Sequence, residues 1–137
     1  MKKIDVVGAV IRNEANDILC ALRSQSMSLP GLWEFPGGKI ESNETPEESL
    51  IREIQEELNC TIEVGELVAD AAYEYPLLRV RLITYNAKIV LGEPLPNEHE
   101  KLIWLSVDKL AILEWAPADL PTVEALIKSR LIYPLLF

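Results

Sequence analysis

The stretch GGKIESNETPEESLIREIQEELNC, residues 37–60, decides how this chain is read. Its second half is a helix with the start written out. Thr45 suits the N-cap, Pro46 suits the first helical position, and Glu48 closes a capping box with Thr45. Leu50, Ile51, Ile54 and Leu58 then recur at helical spacing and predict one apolar side. The remainder is acidic. Between Glu41 and Glu57 stand seven acidic residues, at 41, 44, 47, 48, 53, 56 and 57, against one basic residue, Arg52. With roughly 100° per residue, Glu53, Glu56 and Glu57 lie within ~100° of one another, on a face turned roughly 120° from the Leu50/Ile54/Leu58 stripe. Carboxylates at these spacings have Cβ atoms about 5–6 Å apart. Each like-charged pair there costs from under ~1 kcal/mol in bulk water to about 3 kcal/mol at an effective dielectric near 20. Such a face is either plain solvated surface or a seat for a cation. The double glycine before the helix, read as a tight turn, favours the second, because glycine exposes backbone carbonyls and lets a ligand come close. Hard oxygen donors suit Mg²⁺ or Mn²⁺, which bind substrate phosphates alongside a few carboxylates.

Working outward, Ile4 to Arg12 and Asp17 to Arg23 are Val- and Ile-rich runs on either side of the polar turn 13–16, and are expected to form a strand pair. Residues 24–31 are loop-like, and Trp33-Glu34-Phe35 is a short strand running into Pro36. Extended runs follow at 61–69, 71–75, 79–90 and 101–105, then a short helix at 107–113. A last helix begins near Pro121, with Leu126, Ile127 and Leu131 as its core side. The apolar tail 131–137 is expected to fold back on the core or to pair with a second copy. Irregularly interleaved strands and helices predict an α/β fold with a mixed sheet covered by helices.

A chain of 137 residues, 49% hydrophobic and 26% charged, reads as one globular domain spanning 1–137. No apolar run approaches the ~20 residues of a membrane span. The start carries no signal-peptide core, so a cytoplasmic location is expected. Cys20 and Cys60 have no metal-type spacing and read as buried thiols. The formal charge of −9 argues against a nucleic-acid polymer as partner, since a grip on that backbone needs clustered Lys and Arg.

Gly38, five residues, Glu44, seven residues, then Arg52-Glu53-Ile54-Gln55-Glu56-Glu57-Leu58-Asn59-Cys60 resembles the Nudix box, G-x5-E-x7-R-E-U-x-E-E-x-G-U with U apolar. Every charged position matches. Asn59 replaces the usual glycine, and Asn is the next-best residue for a left-handed C-cap. Val6–Val10, Leu22-Arg23, Gly31–Glu41 and Trp115–Asp119 extend the resemblance to the MutT-type and CTP-pyrophosphohydrolase branch. The family fold is an α/β/α sandwich around a mixed sheet.

The resemblance implies roles. The Gly37 carbonyl and the carboxylates of Glu53, Glu56 and Glu57 would hold Mg²⁺, with Mn²⁺ as a substitute, and Glu98 would add a further acidic ligand or be an ordinary loop residue. Glu53 and Glu56 would be catalytic, Glu53 as general base. Arg52 would orient the box by pairing with a neighbouring Glu, and Glu44 would be structural. Arg23 would contact phosphate or lie on the surface. Phe35, Tyr75 and Leu78 would pack against a base or belong to the core. Two readings of Asp119 stand: a carboxylate accepting from the exocyclic amine of cytosine, or a cap on the last helix. His99 reads as a loop residue near the pocket mouth.

The activity so implied is Mg²⁺-dependent cleavage of a nucleoside triphosphate to the monophosphate and pyrophosphate, on cytidine-type or 5-modified pyrimidine nucleotides, for nucleotide-pool cleansing. The alternative is an oxidised purine such as 8-oxo-dGTP. Pro76 also falls about where ADP-ribose-hydrolysing members carry a proline, and a ligand-binding domain without catalysis would show a damaged carboxylate set. The protein would act as a monomer or homodimer.

Overall fold

In a computed structural model that describes residues 1–132, the strand β1 (Lys2–Ile11) is buried on both faces along its second half. Period-two geometry divides its side chains between two cores. Val7, Ala9 and Ile11 pack with Leu50, Ile54 and Leu58 of helix α1 (Pro46–Leu58), while Val10 shares a second cluster with Val123 and Leu126 of helix α2 (Leu120–Ile132). Each fully buried Leu or Ile contributes roughly 1.5–3 kcal/mol. Helices therefore cover both faces of the sheet that carries β1.

That sheet has strand order β4-β1-β6-β5 and is mixed. β1 runs parallel to β6 (Leu78–Leu91) in continuous register from Lys2 opposite Leu78 to Ile11 opposite Ala87. β4 (Gly37–Lys39) and β5 (Thr61–Tyr75) pair antiparallel at the two edges. A second, antiparallel sheet has the order β3-β2-β7, from Trp33–Glu34, Ile18–Leu22 and Lys101–Leu105. Short 3-10 segments at Val107–Ile112 and Pro117–Asp119 lead into α2.

Helix α1 begins as its sequence dictates. Thr45 Oγ1 accepts from the Glu48 N–H, and the Glu48 carboxylate accepts from the Thr45 N–H. Asn59 ends it in the left-handed region, at φ 56°, in agreement with the expected cap. Four expectations are corrected. β1 and β2 lie in different sheets and share only the Arg12–Ile18 bridge, because β1 is claimed by β4 and β6. Gly37-Gly38 is a strand rather than a turn. Ile51 is 38% exposed, rotated off the Leu50/Ile54/Leu58 stripe. The runs at 61–69 and 71–75 are one strand, bent by irregular register between Val64 and Ala69. The tail 133–137 and the side chain of Leu131 lie outside the described residues.

Candidate active site

β4 lies so close to its neighbours that a side chain at either glycine forces something to move, backbone at Gly37 and a carboxylate at Gly38. A Cβ on Gly37 would sit 1.9 Å from the Val7 carbonyl oxygen, and one on Gly38 would sit 2.3 Å from the Glu53 carboxylate. The glycines are required by close approach, which the expected turn did not capture. Glu53 is in turn fixed by Arg52, whose Nη1 donates to Glu53 Oε1 at 2.9 Å. The same guanidinium grips Glu44 with two parallel bonds, Nε to Oε2 at 2.8 Å and Nη2 to Oε1 at 2.9 Å, and donates to the Lys39 carbonyl at 3.2 Å. Glu44 also accepts from Ser49 Oγ at 2.7 Å. Paired in this way, its carboxyl is held down to about 2. Arg52 and Glu44 thus clamp the segment before α1 to the helix face.

The other carboxylates are only partly neutralised, with Arg52 reaching Glu53 and Glu56. Burial raises the Glu53 pKa, the Arg52 bond opposes this, and the charges of Glu56 and Glu98 add to the rise. Glu57, 8% exposed, is pushed up to about 9 by burial and then by Glu34, Glu53 and Glu98. Its Oε2 is buried without a hydrogen-bond partner among the described residues. Glu56 faces solvent, 3.4 Å from Arg52 Nη1. Glu98 is exposed, yet its charge acts on both Glu53 and Glu57. As the side chains lie, no three acidic, histidine or cysteine residues among those described surround one point at ligand distance. The Arg52 guanidinium bridges Glu53 and Glu56 instead. An orphaned buried carboxylate oxygen amid mutually repelling carboxylates is the donor set that a hard divalent cation satisfies.

A cavity of about 440 Å³ opens from this cluster, within the range of ordinary small-ligand sites, roughly 300–1,000 Å³. Gly37, Gly38 and Glu57 line it. Phe35, Tyr75, Leu78 and Asp119 also line it, with Val80 and Leu82 following Leu78 at strand period along β6. Phe35 stacks on Trp115 with ring centroids 4.7 Å apart. Its backbone N–H donates to Asp119 Oδ1 at 3.0 Å. The Asp119 side chain thus serves Phe35, and the alternative of a cap on α2 gives way to this bond. Burial pushes the Asp119 carboxyl well above the usual range, and the Glu34 charge pushes the same way. The Tyr75 hydroxyl accepts from the Ala118 N–H at 3.2 Å.

Arg23 lines the cavity but is far from a loose surface arginine. It pairs with Glu34 and donates to the Ser28 carbonyl and, at 2.8 Å, to Ser28 Oγ. Seven of the expected residues therefore meet at one cavity: Arg23, Phe35, Gly37, Glu57, Tyr75, Leu78 and Asp119. Arg52, Glu53, Glu56 and Glu98 lie outside its lining, with Glu53 against Gly38. Sequence reasoning missed Glu34, which lines the cavity and contacts both Arg23 and His99. Its signal was a charge between two aromatics in a strand. His99 is corrected from a mouth residue to a buried one, with its side chain fully covered and Nε2 2.7 Å from Glu34 Oε2. Pro76 belongs to the two-residue turn between β5 and β6, which accounts for a proline there.

Comparison with known proteins agrees with this geometry. The NUDIX domain model matches residues 2–126. The chain is 37% identical to the CTP pyrophosphohydrolase of Escherichia coli K12 over 134 residues, 98% of each chain. It is 35% identical to the 8-oxo-dGTP diphosphatase of the same strain over 126 residues, covering 92% of this chain and 98% of the relative. The solution structure of the E. coli ORF135 protein superposes with a TM-score of 0.82 at 36% identity, covering 95% of this chain and 92% of that one. No helix among the described residues is long and apolar enough to cross a membrane. With the box on α1, the glycine strand against Glu53 and a family match over nearly the whole length, the chain belongs to the Nudix family as one of its hydrolases.

Proposed function

We propose that residues 1–137 act as one Mg²⁺-dependent pyrophosphohydrolase domain, converting a nucleoside triphosphate and water to the monophosphate and pyrophosphate. Cytidine-type or 5-modified pyrimidine nucleotides are the preferred substrates. The observation that carries this reading is that one cavity is lined both by Gly37, Gly38 and Glu57 and by Phe35, Tyr75, Leu78 and Asp119. A nucleotide in it would have its phosphates toward Glu57 and its base against apolar and aromatic side chains.

The Gly37 carbonyl, Glu53, Glu56, Glu57 and Glu98 would hold the cation. When bound, it lowers the pKa of water and neutralises phosphate oxygens. Glu53 takes the water proton, its carboxylate being held against Gly38. Arg52 holds Glu53 in place. Phe35 and Tyr75 position the base, and Asp119 reads its edge: an ionised carboxylate accepts from the cytosine amine. The 37% identity to a CTP pyrophosphohydrolase supports this choice. One observation favours an oxidised guanine nucleotide as second reading. Burial drives Asp119 toward its protonated form, which donates as well as accepts.

The test is pyrophosphate release from a panel of standard, 5-methylated and oxidised nucleoside triphosphates with Mg²⁺, with ADP-ribose included. The highest kcat/KM is expected for a cytidine or 5-modified pyrimidine nucleotide, and Glu56→Gln should abolish turnover while the fold persists. A higher value for 8-oxo-dGTP selects the second reading. Undiminished hydrolysis by the Glu56 variant overturns the metal assignment.

A further inference from the structure

Strand ends of the small sheet bring three side chains from separate parts of the sequence together. Arg23 follows β2, Glu34 ends β3 opposite Ala21, and His99 precedes β7, whose Lys101 pairs with Leu22. The Glu100 N–H donates to the Leu22 carbonyl at 2.9 Å and fixes the approach of the His99 segment. Across this junction Glu34 is held from two sides. Its Oε2 meets His99 Nε2 at 2.7 Å, and its Oε1 meets Arg23 Nη1. A carboxylate only accepts, so Nε2 carries the hydrogen.

The cost of this arrangement is visible. His99 has no exposed side-chain surface, and its Nδ1 has no partner among the described residues. A buried histidine kept only for packing is better replaced by an apolar residue, which leaves no polar atom unpaired. The bond to Glu34 is the feature that an apolar residue cannot supply. Arg23 has five N–H groups in a planar fork, and three are engaged by Ser28 and Glu34. The plane of the guanidinium is therefore set, with one N–H on each terminal nitrogen that has no partner among the described residues, on a residue that lines the cavity.

We propose that His99 is a positioning residue: it fixes Glu34, Glu34 fixes Arg23, and Arg23 presents its two remaining N–H groups to the nucleotide. This rests on the reading that a nucleoside triphosphate occupies that cavity. Because the chain acts through substrate alignment rather than on the attacking water, its loss should appear in KM and leave kcat nearly untouched.

The experiment compares His99→Leu, which keeps burial and removes the donor, with His99→Gln, whose amide can donate from nearly the Nε2 position. Kinetics are run with Mg²⁺ and the best substrate of the panel. His99→Leu should raise KM about tenfold with kcat within about threefold, and His99→Gln should stay within about threefold of the parent in both. The second readout is the signal of the Arg23 Nη1–H bonded to Glu34 in a low-temperature ¹H–¹⁵N spectrum of the substrate-free protein, expected in the parent and His99→Gln and absent or shifted in His99→Leu. If His99→Leu does not fold, His99→Asn, too short to reach Glu34, takes its place with the same expectations. A leucine or asparagine variant with unchanged KM and an unchanged Arg23 signal overturns the proposal. A parent protein that cleaves no nucleoside triphosphate overturns the proposed function instead, and the Arg23 signal still decides whether His99 holds Arg23.

Discussion

Gly38→Ala separates catalytic geometry from folding more cleanly than removal of any charged group. The added Cβ would stand 2.3 Å from the carboxylate carbon and from Oε2 of Glu53, whereas ordinary contact begins at 3.4 Å. The carboxylate must therefore move by about 1 Å, a displacement that can lower a rate about 10²-fold when it moves a reacting group. The atoms that yield are the end of a side chain, at an off-rotamer cost of order 0.5–1.5 kcal/mol. For a domain of this size that lowers Tm by roughly 2–5 °C. Gly37→Ala is the control one residue away. Its Cβ would meet the Val7 carbonyl oxygen at 1.9 Å and the Gly8 Cα at 2.8 Å, so backbone must part and the β1–β4 pairing suffers, at roughly 3 kcal/mol. Thermal melts and pyrophosphate release at saturating substrate are measured on both. The expected pattern is a folded Gly38 variant with kcat down about a hundredfold, and a Gly37 variant with the larger loss of Tm. A Gly38 variant with parental kcat would refute the placement of Glu53 as a group whose position the reaction depends on.

Two further outcomes follow from buried charge. Glu57→Gln removes a carboxylate pushed up to about 9 by burial and like charges, so without divalent cation the variant should melt above the parent. Added Mg²⁺ at about a hundredfold over Kd should then stabilise the parent by about 2.7 kcal/mol and leave the variant unmoved; equal stabilisation of both in EDTA-versus-Mg²⁺ melts would remove Glu57 from the ligand set. Asp119 has a raised folded pKa, so its contribution to stability is fully present below the usual carboxyl range, near pH 4, and is lost as pH rises. Asp119→Asn keeps an oxygen for the Phe35 N–H and drops the charge, so its Tm advantage should be near zero at pH 4 and grow toward pH 8. An advantage that shrinks over that range would contradict the burial argument.

What was legible in the sequence was local chemistry. Thr45, Pro46 and Glu48 start a helix through contacts within four residues, and Asn59 ends one through its own tolerance of positive φ. The charged positions of the box carry their spacing with them, so Arg52, Glu53 and Glu57 could be named before the fold was known. What was not legible depends on partners distant in sequence. Gly37-Gly38 looks like a turn until Val7 and Glu53 are placed against it. Glu34 and His99 stand 65 residues apart, and nothing local to either marks the contact. Ile51 fits the helical stripe by spacing but lies at its edge, and Leu50, Ile54 and Leu58 alone of that stripe enter the core.

The charge of −9 is compatible with an anionic substrate because of where the charges lie. Glu34 raises the pKa of Glu57 and of Asp119, both of which line the cavity. Its own carboxylate is tied to Arg23 and His99. A divalent cation among Glu53, Glu57 and Glu98 would partly reverse the local sign. The same cation would offset at Asp119 some of the field that Glu34 imposes, favouring the ionised form that accepts from a base amine. By linkage, a base that prefers ionised Asp119 would strengthen cation binding to the same extent. Metal affinity measured with and without a non-hydrolysable cytidine nucleotide would therefore contain a contribution from the base, and Asp119→Asn should remove that contribution while leaving the one from the phosphates.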